Sequence, residues 1–174
     1  FGLSKMRLTS ILMTLLLVAA GAAAQQQLRI GNPAPEFTAQ SLEGSVIDSK
    51  ALEGKVIVMT FWSTRCAVCH SEIPKLNQLV ERYRGKDVVF LALTMENNVR
   101  IEPYLKKNPF TFDIIPNSFG VLLKFADMDA GGRVNMGYPA HFLISRSGEI
   151  AHRTYGFDKA SNLDAQIQRI LASE

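Results

Sequence analysis

The sequence predicts an α/β fold in which a central mixed sheet is flanked by helices on both faces. Three observations carry that prediction. Two apolar runs rich in β-branched residues, "KVIVMTFW" and "VVFLALTM", are continuous enough to be strands buried on both faces. Between them Ile73, Leu76, Leu79, Val80 and Tyr83 recur at helical spacing. Near the end, "GYPAHFLISRSGEIAHRTYGF" reads as strand, Ser-Gly turn and strand, an antiparallel hairpin that breaks plain βα alternation.

The elements follow in order. Lys5 and Arg7 flank Met6, Ile11 to Val18 is apolar apart from Thr14, and Ala22 and Ala24 close an Ala-x-Ala pattern, so residues 1–24 read as a secretory signal. Phe1 to Lys5 read as an extension ahead of Met6, the first plausible initiator. The apolar stretch is shorter than the roughly 20 residues a membrane span needs, which disfavours a retained anchor. No cysteine follows it to accept a lipid. Residues 25–32 read as a linker, and 33–174 as one domain. Two Glu-Gly turn signals, Glu43-Gly44 and Glu53-Gly54, frame an N-terminal hairpin. After the first buried strand and its helix, Gly85 stops the helix. "RIEPYLKKN" predicts a helix that tolerates Pro103 only in its first turn. "FDII" predicts a short strand and "FGVLLKFA" another helix. The last helix starts from Ser161 or Asn162 as N-cap and places Leu163, Ile167, Ile170 and Leu171 on one face.

Charge excludes some partners. The chain has 19 basic and 16 acidic side chains. Without Lys5 and Arg7 the rest carries 17 basic side chains against those 16. A balance so close to neutral gives no argument for nucleic acid or an acidic membrane surface. Repeats and low-complexity tracts are absent.

Cys66 and Cys69, the two cysteines of the chain, lie in "FWSTRCAVCHSEIP". Cys-x-x-Cys-His is a haem attachment pattern, whereas Cys-x-x-Cys after a strand is a redox dithiol. Haem would need His70 and a second axial ligand on a small helical domain, and the α/β order denies that context. Zinc would need four ligands, and there is no second cysteine pair to complete them. A purely structural disulfide across three residues closes too small a loop to restrict the unfolded chain much. A buried strand ending at Trp62 and a helix beginning near the cysteines put Cys66 beside a helix N-terminus. There the helix dipole and unsatisfied N–H groups favour the thiolate, making Cys66 the expected nucleophile. Cys69, one turn further in, is the expected resolving and more shielded thiol. Arg65 adds a positive charge before Cys66 if it turns toward the sulfur. Glu72 lies on the Cys69 face of the helix, where burial would let it pass a proton to or from a cysteine. Spacing alone leaves open whether it is instead an ordinary surface glutamate.

From "GNPAPEFTAQSLEGSVIDSK" through "VIVMTFWSTRCAVCHSEIPKL" to "GYPAHFLISRSGEI", the chain resembles the extracytoplasmic thioredoxin-like proteins of the TlpA, ResA and DsbE/CcmG group. The resemblance runs from Ile30 to Leu171. It implies a thioredoxin-like fold with an N-terminal β-hairpin and a βα insertion in the core. It also implies thiol:disulfide exchange without a cofactor or metal. Glu72 then matches the acid this group keeps near its dithiol, and Pro74 the proline that kinks the active-site helix. Pro139 matches a cis-proline beside the dithiol, and with Tyr138, Trp62 and Arg65 it is expected to contact substrate. The implied partners are a disulfide-containing exported protein and a membrane thiol carrier as electron donor, with neither haem nor nucleic acid. Arg65 stands in place of a common tryptophan, Ala67-Val68 in place of Gly-Pro or Pro-Pro, Thr60 in place of a buried aspartate, and His141 in place of a threonine. His141 is expected to be a strand residue with a local partner, with a pH-sensitive role near the site as the alternative, and His70 to sit on an exposed helix face.

Two alternatives stand beside this reading. A peroxiredoxin-like antioxidant would carry proline and threonine where this chain has Met59 and Ser63. A non-catalytic binding module would have little use for two cysteines, Glu72 and Pro139 together.

Overall fold

The computed structural model describes residues 28–173; the signal-like segment and residues 25–27 of the expected linker lie outside the described residues. Five strands form the main sheet: β3 (Val56–Phe61), β4 (Val88–Leu93), β5 (Asp113–Ile115), β8 (Ala140–Ile144) and β9 (Ile150–Tyr155). Their order is β5-β4-β3-β8-β9. The β5-β4-β3 side is parallel, while β8 and β9 run antiparallel to their neighbours. Central position explains the unbroken apolar runs, since β3 and β8 are buried throughout.

Alternation along the strands sorts residues between two layers. Ile57, Met59, Phe61, Phe142 and Ile144 point to one face and pack with Phe37 and with α3 (Phe119–Phe125) through Val121, Leu122 and Phe125. Phe61, Phe125 and Phe142 stack mutually there at ring separations of 5.2–6.0 Å, each pair worth about 1 kcal/mol beyond burial. Val56, Val58 and Leu143 point to the other face. They meet Leu76, Leu79 and Tyr83 of α1 (Ala67–Arg82) and Leu163, Ile167 and Ile170 of α4 (Leu163–Ser173). By the same parity Thr60 and His141, paired across β3 and β8, belong to the α1 layer.

The expected N-terminal hairpin is present as β1 (Thr38–Gln40) and β2 (Val46–Asp48). Four details differ from expectation. The end of the expected linker belongs to the folded unit: Leu28 packs on the core, Gly31 N–H donates to Ile150 O, and Ile150 N–H donates to Asn32 O. Helix α2 (Asn98–Leu105) holds Pro103 well beyond its first turn. The cap lies earlier than the apolar pattern indicates, at Asn97, whose side chain accepts from Arg100 N–H, and an exposed short helix tolerates the backbone bond that proline removes. A small hairpin, β6 (Asp127–Met128) and β7 (Val134–Asn135), went unpredicted. The Asp129 carboxylate organises its turn by accepting from Gly131 N–H, Arg133 N–H and Arg133 Nε. Finally, α4 is entered through a 3₁₀ turn, Ala160–Asn162, in which neither Ser161 nor Asn162 makes a side-chain cap.

Candidate active site

Strands β3, β8 and β9 meet at one end of the sheet, where Phe61 pairs with Ala140 and Ala140 with Tyr155. Everything the sequence singled out for chemistry gathers at that end. Trp62 N–H donates to Leu93 O, finishing the strand, and the chain then turns through Ser63 and Thr64 into Cys66.

Cys66 is the N-cap of α1, extended at φ −94° and ψ 99°, and its Sγ accepts from Cys69 N–H at 3.1 Å. That is the cap-to-N3 geometry a serine normally adopts, here with sulfur as acceptor. A thiolate at this position gains from the same N–H and from the helix dipole. The two cysteines are joined as a disulfide with their Cα atoms 5.2 Å apart. Cys66 keeps partial exposure while Cys69 is 4% exposed, an asymmetry that fits an attacking and a resolving sulfur.

Glu72, three residues after Cys69 on the buried face of α1, is 2% exposed. Its Oε1 accepts from Lys159 N–H at 2.9 Å and Ala160 N–H at 3.4 Å, and its Oε2 lies 3.0 Å from His141 Nε2. His141 Nδ1 lies 3.0 Å from Thr60 Oγ1. A continuous polar chain therefore runs from β3 through β8 to the active-site helix inside the α1 layer.

Tyr138 precedes Pro139 through a cis peptide bond and packs in the cluster that holds Trp62, Cys66 and Cys69. Burial, with the Glu96 charge adding to it, pushes the Tyr138 phenol above its ordinary value. Pro139 is buried, and its carbonyl accepts from Gly156 N–H at 2.9 Å. Arg65 is exposed, with no side-chain hydrogen bond or ion pair among the described residues. It borders a cleft of about 330 Å³ shared with Met95, Glu96, Arg100 and Tyr138. A larger hollow of about 500 Å³ beneath Phe37 and Val121 contains no residue of the dithiol segment. Trp62 is 1% exposed and packs between Tyr104 and Phe110 at 5.4 and 4.8 Å, so it presents almost no surface to a docked chain. His70 departs from expectation. It is half-buried rather than exposed, lies 4.8 Å from the Tyr104 ring and directs Nε2 to Thr64 O at 3.0 Å, which draws it inward.

Glu96 escaped the sequence reading. Its carboxylate accepts from Thr64 N–H, Thr64 Oγ1 and Arg100 Nε, fixing the segment before Cys66. Burial raises its pKa, but the Thr64 hydrogen bonds and Arg100 outweigh burial and hold the carboxyl below its ordinary value. Its position was accessible in principle, because residues just past the C-terminal ends of adjacent parallel strands gather at one crevice. Phe157 was missed as well. It lies two residues past the end of β9, after Gly156, and is 73% exposed.

Among the described residues no group of histidine, cysteine, aspartate or glutamate side chains could hold a metal ion. No described helix is long and apolar enough to cross a membrane.

Residues 30–153 match the AhpC/TSA family. The chain is 28% identical over 152 residues to the thiol-disulfide oxidoreductase ResA of Bacillus cereus, covering 84% of this chain and 81% of that protein. It is 27% identical over 120 residues to the thioredoxin-like protein YneN of Bacillus subtilis, covering 69% of this chain and 68% of that one. A Chlorobium tepidum structure assigned to the thiol:disulfide interchange protein DsbE superposes with a TM-score of 0.71 at 25% identity, covering 83% of this chain and 99% of that one. The family match runs from ahead of the β1–β2 hairpin into β9. With its Cys66–Cys69 pair, the chain belongs to the AhpC/TSA family as a thiol:disulfide oxidoreductase.

Proposed function

We propose that this protein is an exported reductant of protein disulfides, delivered by the secretory signal in residues 1–24 and folded as one domain through the C-terminal helix. The observation that carries this reading is Cys66 at the cap of α1, half-exposed and bonded to a buried Cys69, with Glu72 one turn further along.

In the reduced protein the Cys66 thiolate attacks a client disulfide, and one client sulfur leaves as a thiol after taking a proton. Cys69 loses its proton to Glu72 and attacks Cys66 Sγ. The second client sulfur departs, and the Cys66–Cys69 disulfide forms. Two electrons pass to the client, and a membrane thiol carrier restores the dithiol. Neither metal nor organic cofactor enters this cycle. Pro139 and Tyr138 offer an edge on which an extended client segment docks beside the sulfurs, and Arg65 borders the cleft that takes its side chains. Trp62 supports that wall from behind.

Direction follows from what stabilises the thiolate. One backbone N–H reaches Cys66 Sγ, the intervening Ala67 and Val68 are apolar, and Arg65 turns to solvent. Beyond that N–H and the helix dipole no side-chain charge or donor among the described residues reaches the sulfur, and a reduced form without such added help favours the reducing side. Trapping tests the chemistry: Cys69→Ser should accumulate mixed disulfides through Cys66 with exported proteins, and their absence would sink the reading. The equilibrium potential tests direction. A value near the roughly −270 mV of thioredoxin supports a reductant, and one near the roughly −120 mV of DsbA overturns it.

A further inference from the structure

His141 is 0% exposed, yet both of its ring nitrogens have polar partners. Strand parity puts it in the α1 layer between Thr60 on β3 and Glu72 on α1. A carboxylate oxygen only accepts, whereas a threonine hydroxyl donates or accepts. The network therefore assigns the proton to Nε2, which donates to Glu72 Oε2, and leaves Nδ1 to accept from Thr60 Oγ1.

A carboxylate has about four acceptor sites. The two backbone N–H groups of Lys159 and Ala160 occupy those on Oε1, and His141 takes one on Oε2. The open site is on the oxygen that His141 holds. Glu72 also shares the buried helix face with Cys69.

We propose that His141 is a positioning residue of the exchange reaction, fixed in its tautomer by Thr60 and holding Glu72 with one Oε2 acceptor site left for the Cys69 proton. This rests on the reductive cycle above. In the resolving step the Cys69 S–H bond breaks and its proton goes to Glu72. The sulfur's electron pair forms the bond to Cys66 Sγ, and the Cys66–client bond breaks with its pair leaving on the client sulfur. Around the network, His152 of β9 feels both Arg169 of α4 and His141, and Lys75 pairs with Asp158 beside the Lys159 amide. All of these stay in place in the variants below.

The test is a double-mutant cycle on the full chain, with insulin disulfides as the probe and single-turnover resolution of the mixed disulfide as the readout. His141→Leu should slow resolution roughly tenfold with KM for insulin unchanged. His141→Gln, which retains an N–H donor, should recover to within about threefold. In a Glu72→Gln background, His141→Leu should cost nothing further. Equal losses in both backgrounds, or a Gln variant as slow as the Leu variant, would overturn the proposal. If His141→Leu does not fold, Thr60→Val takes its place, with a smaller loss that must likewise vanish in the Glu72→Gln background. A wild-type protein inert toward insulin would instead refute the reductive cycle, whereas an active wild type with additive variants refutes only the role of His141.

Discussion

Glu96 grips Thr64 at two points, accepting from its backbone N–H at 2.8 Å and from its hydroxyl at 2.9 Å, and so binds the loop after β4 to the segment that delivers Cys66. Glu96→Ala should slow disulfide exchange several-fold and cost about 2 kcal/mol, the usual scale for hydrogen bonds to a charged group. Denaturant unfolding and insulin-reduction assays measure the two effects.

Glu96 also sets a pH dependence. Because its carboxyl is held below the ordinary value, its stabilisation is complete above that value and is lost as pH falls through the lower folded one. Unfolding experiments from about pH 6 to pH 3 should show a smaller acid loss in Glu96→Gln than in wild type. Identical slopes would mean that the carboxyl is not held low.

Phe157 is fastened on the dithiol side of the sheet. Gly156 N–H binds Pro139 O, Lys159 N–H binds Glu72, and Asp158 pairs with Lys75. Gly156 and Asp158 adopt φ of +88° and +53° on either side, turning the aromatic ring outward. Phe157→Ala should raise KM for protein disulfides several-fold while leaving rates with hydroxyethyl disulfide and thermal stability unchanged. Equal losses with both substrates would place Phe157 in the catalytic framework instead of on the docking surface.

Tyr104 packs against Trp62 and His70, but its buried hydroxyl has no hydrogen-bond partner among the described residues. Burial first and the Glu96 charge second push its pKa up to about 12. Tyr104→Phe keeps the ring contacts and removes the unsatisfied group, so it should be neutral to about 1 kcal/mol stabilising. Loss of stability beyond about 1 kcal/mol would show that the hydroxyl has a partner.

His152, half-buried on β9, has its pKa lowered by burial first and by Arg169 and His141 next. The unfolded chain then takes up a proton that the folded one resists. Stability should fall as pH drops below about 6.5 toward the lower folded value. His152→Gln should flatten that part of the curve, as followed by thermal unfolding across pH.

Much of the fold was legible because its signals are local. The unbroken apolar runs of β3 and β4, the helical spacing from Ile73 to Tyr83 and the Ser147-Gly148 turn each announce an element. The β6–β7 hairpin escaped because its strands are two residues long and partly exposed, which leaves no periodicity to detect. Pro103 misled because an asparagine cap moved the helix start earlier than the apolar spacing indicated.

The sequence by itself determined the α/β order, the family and the position of Cys66 at a helix start, because strand and helix periodicity and the Cys-x-x-Cys spacing are properties of neighbouring residues. Tertiary structure alone decided what surrounds those sulfurs. Glu72 and His141 are 69 positions apart, and Glu96 and Thr64 are 32 apart. Their meeting depends on sheet order and on which face each strand residue takes. Strand pairing set Thr60 beside His141, the parity of β8 turned His141 toward α1, and the parallel ends of β3 and β4 brought Glu96 to the cysteine loop.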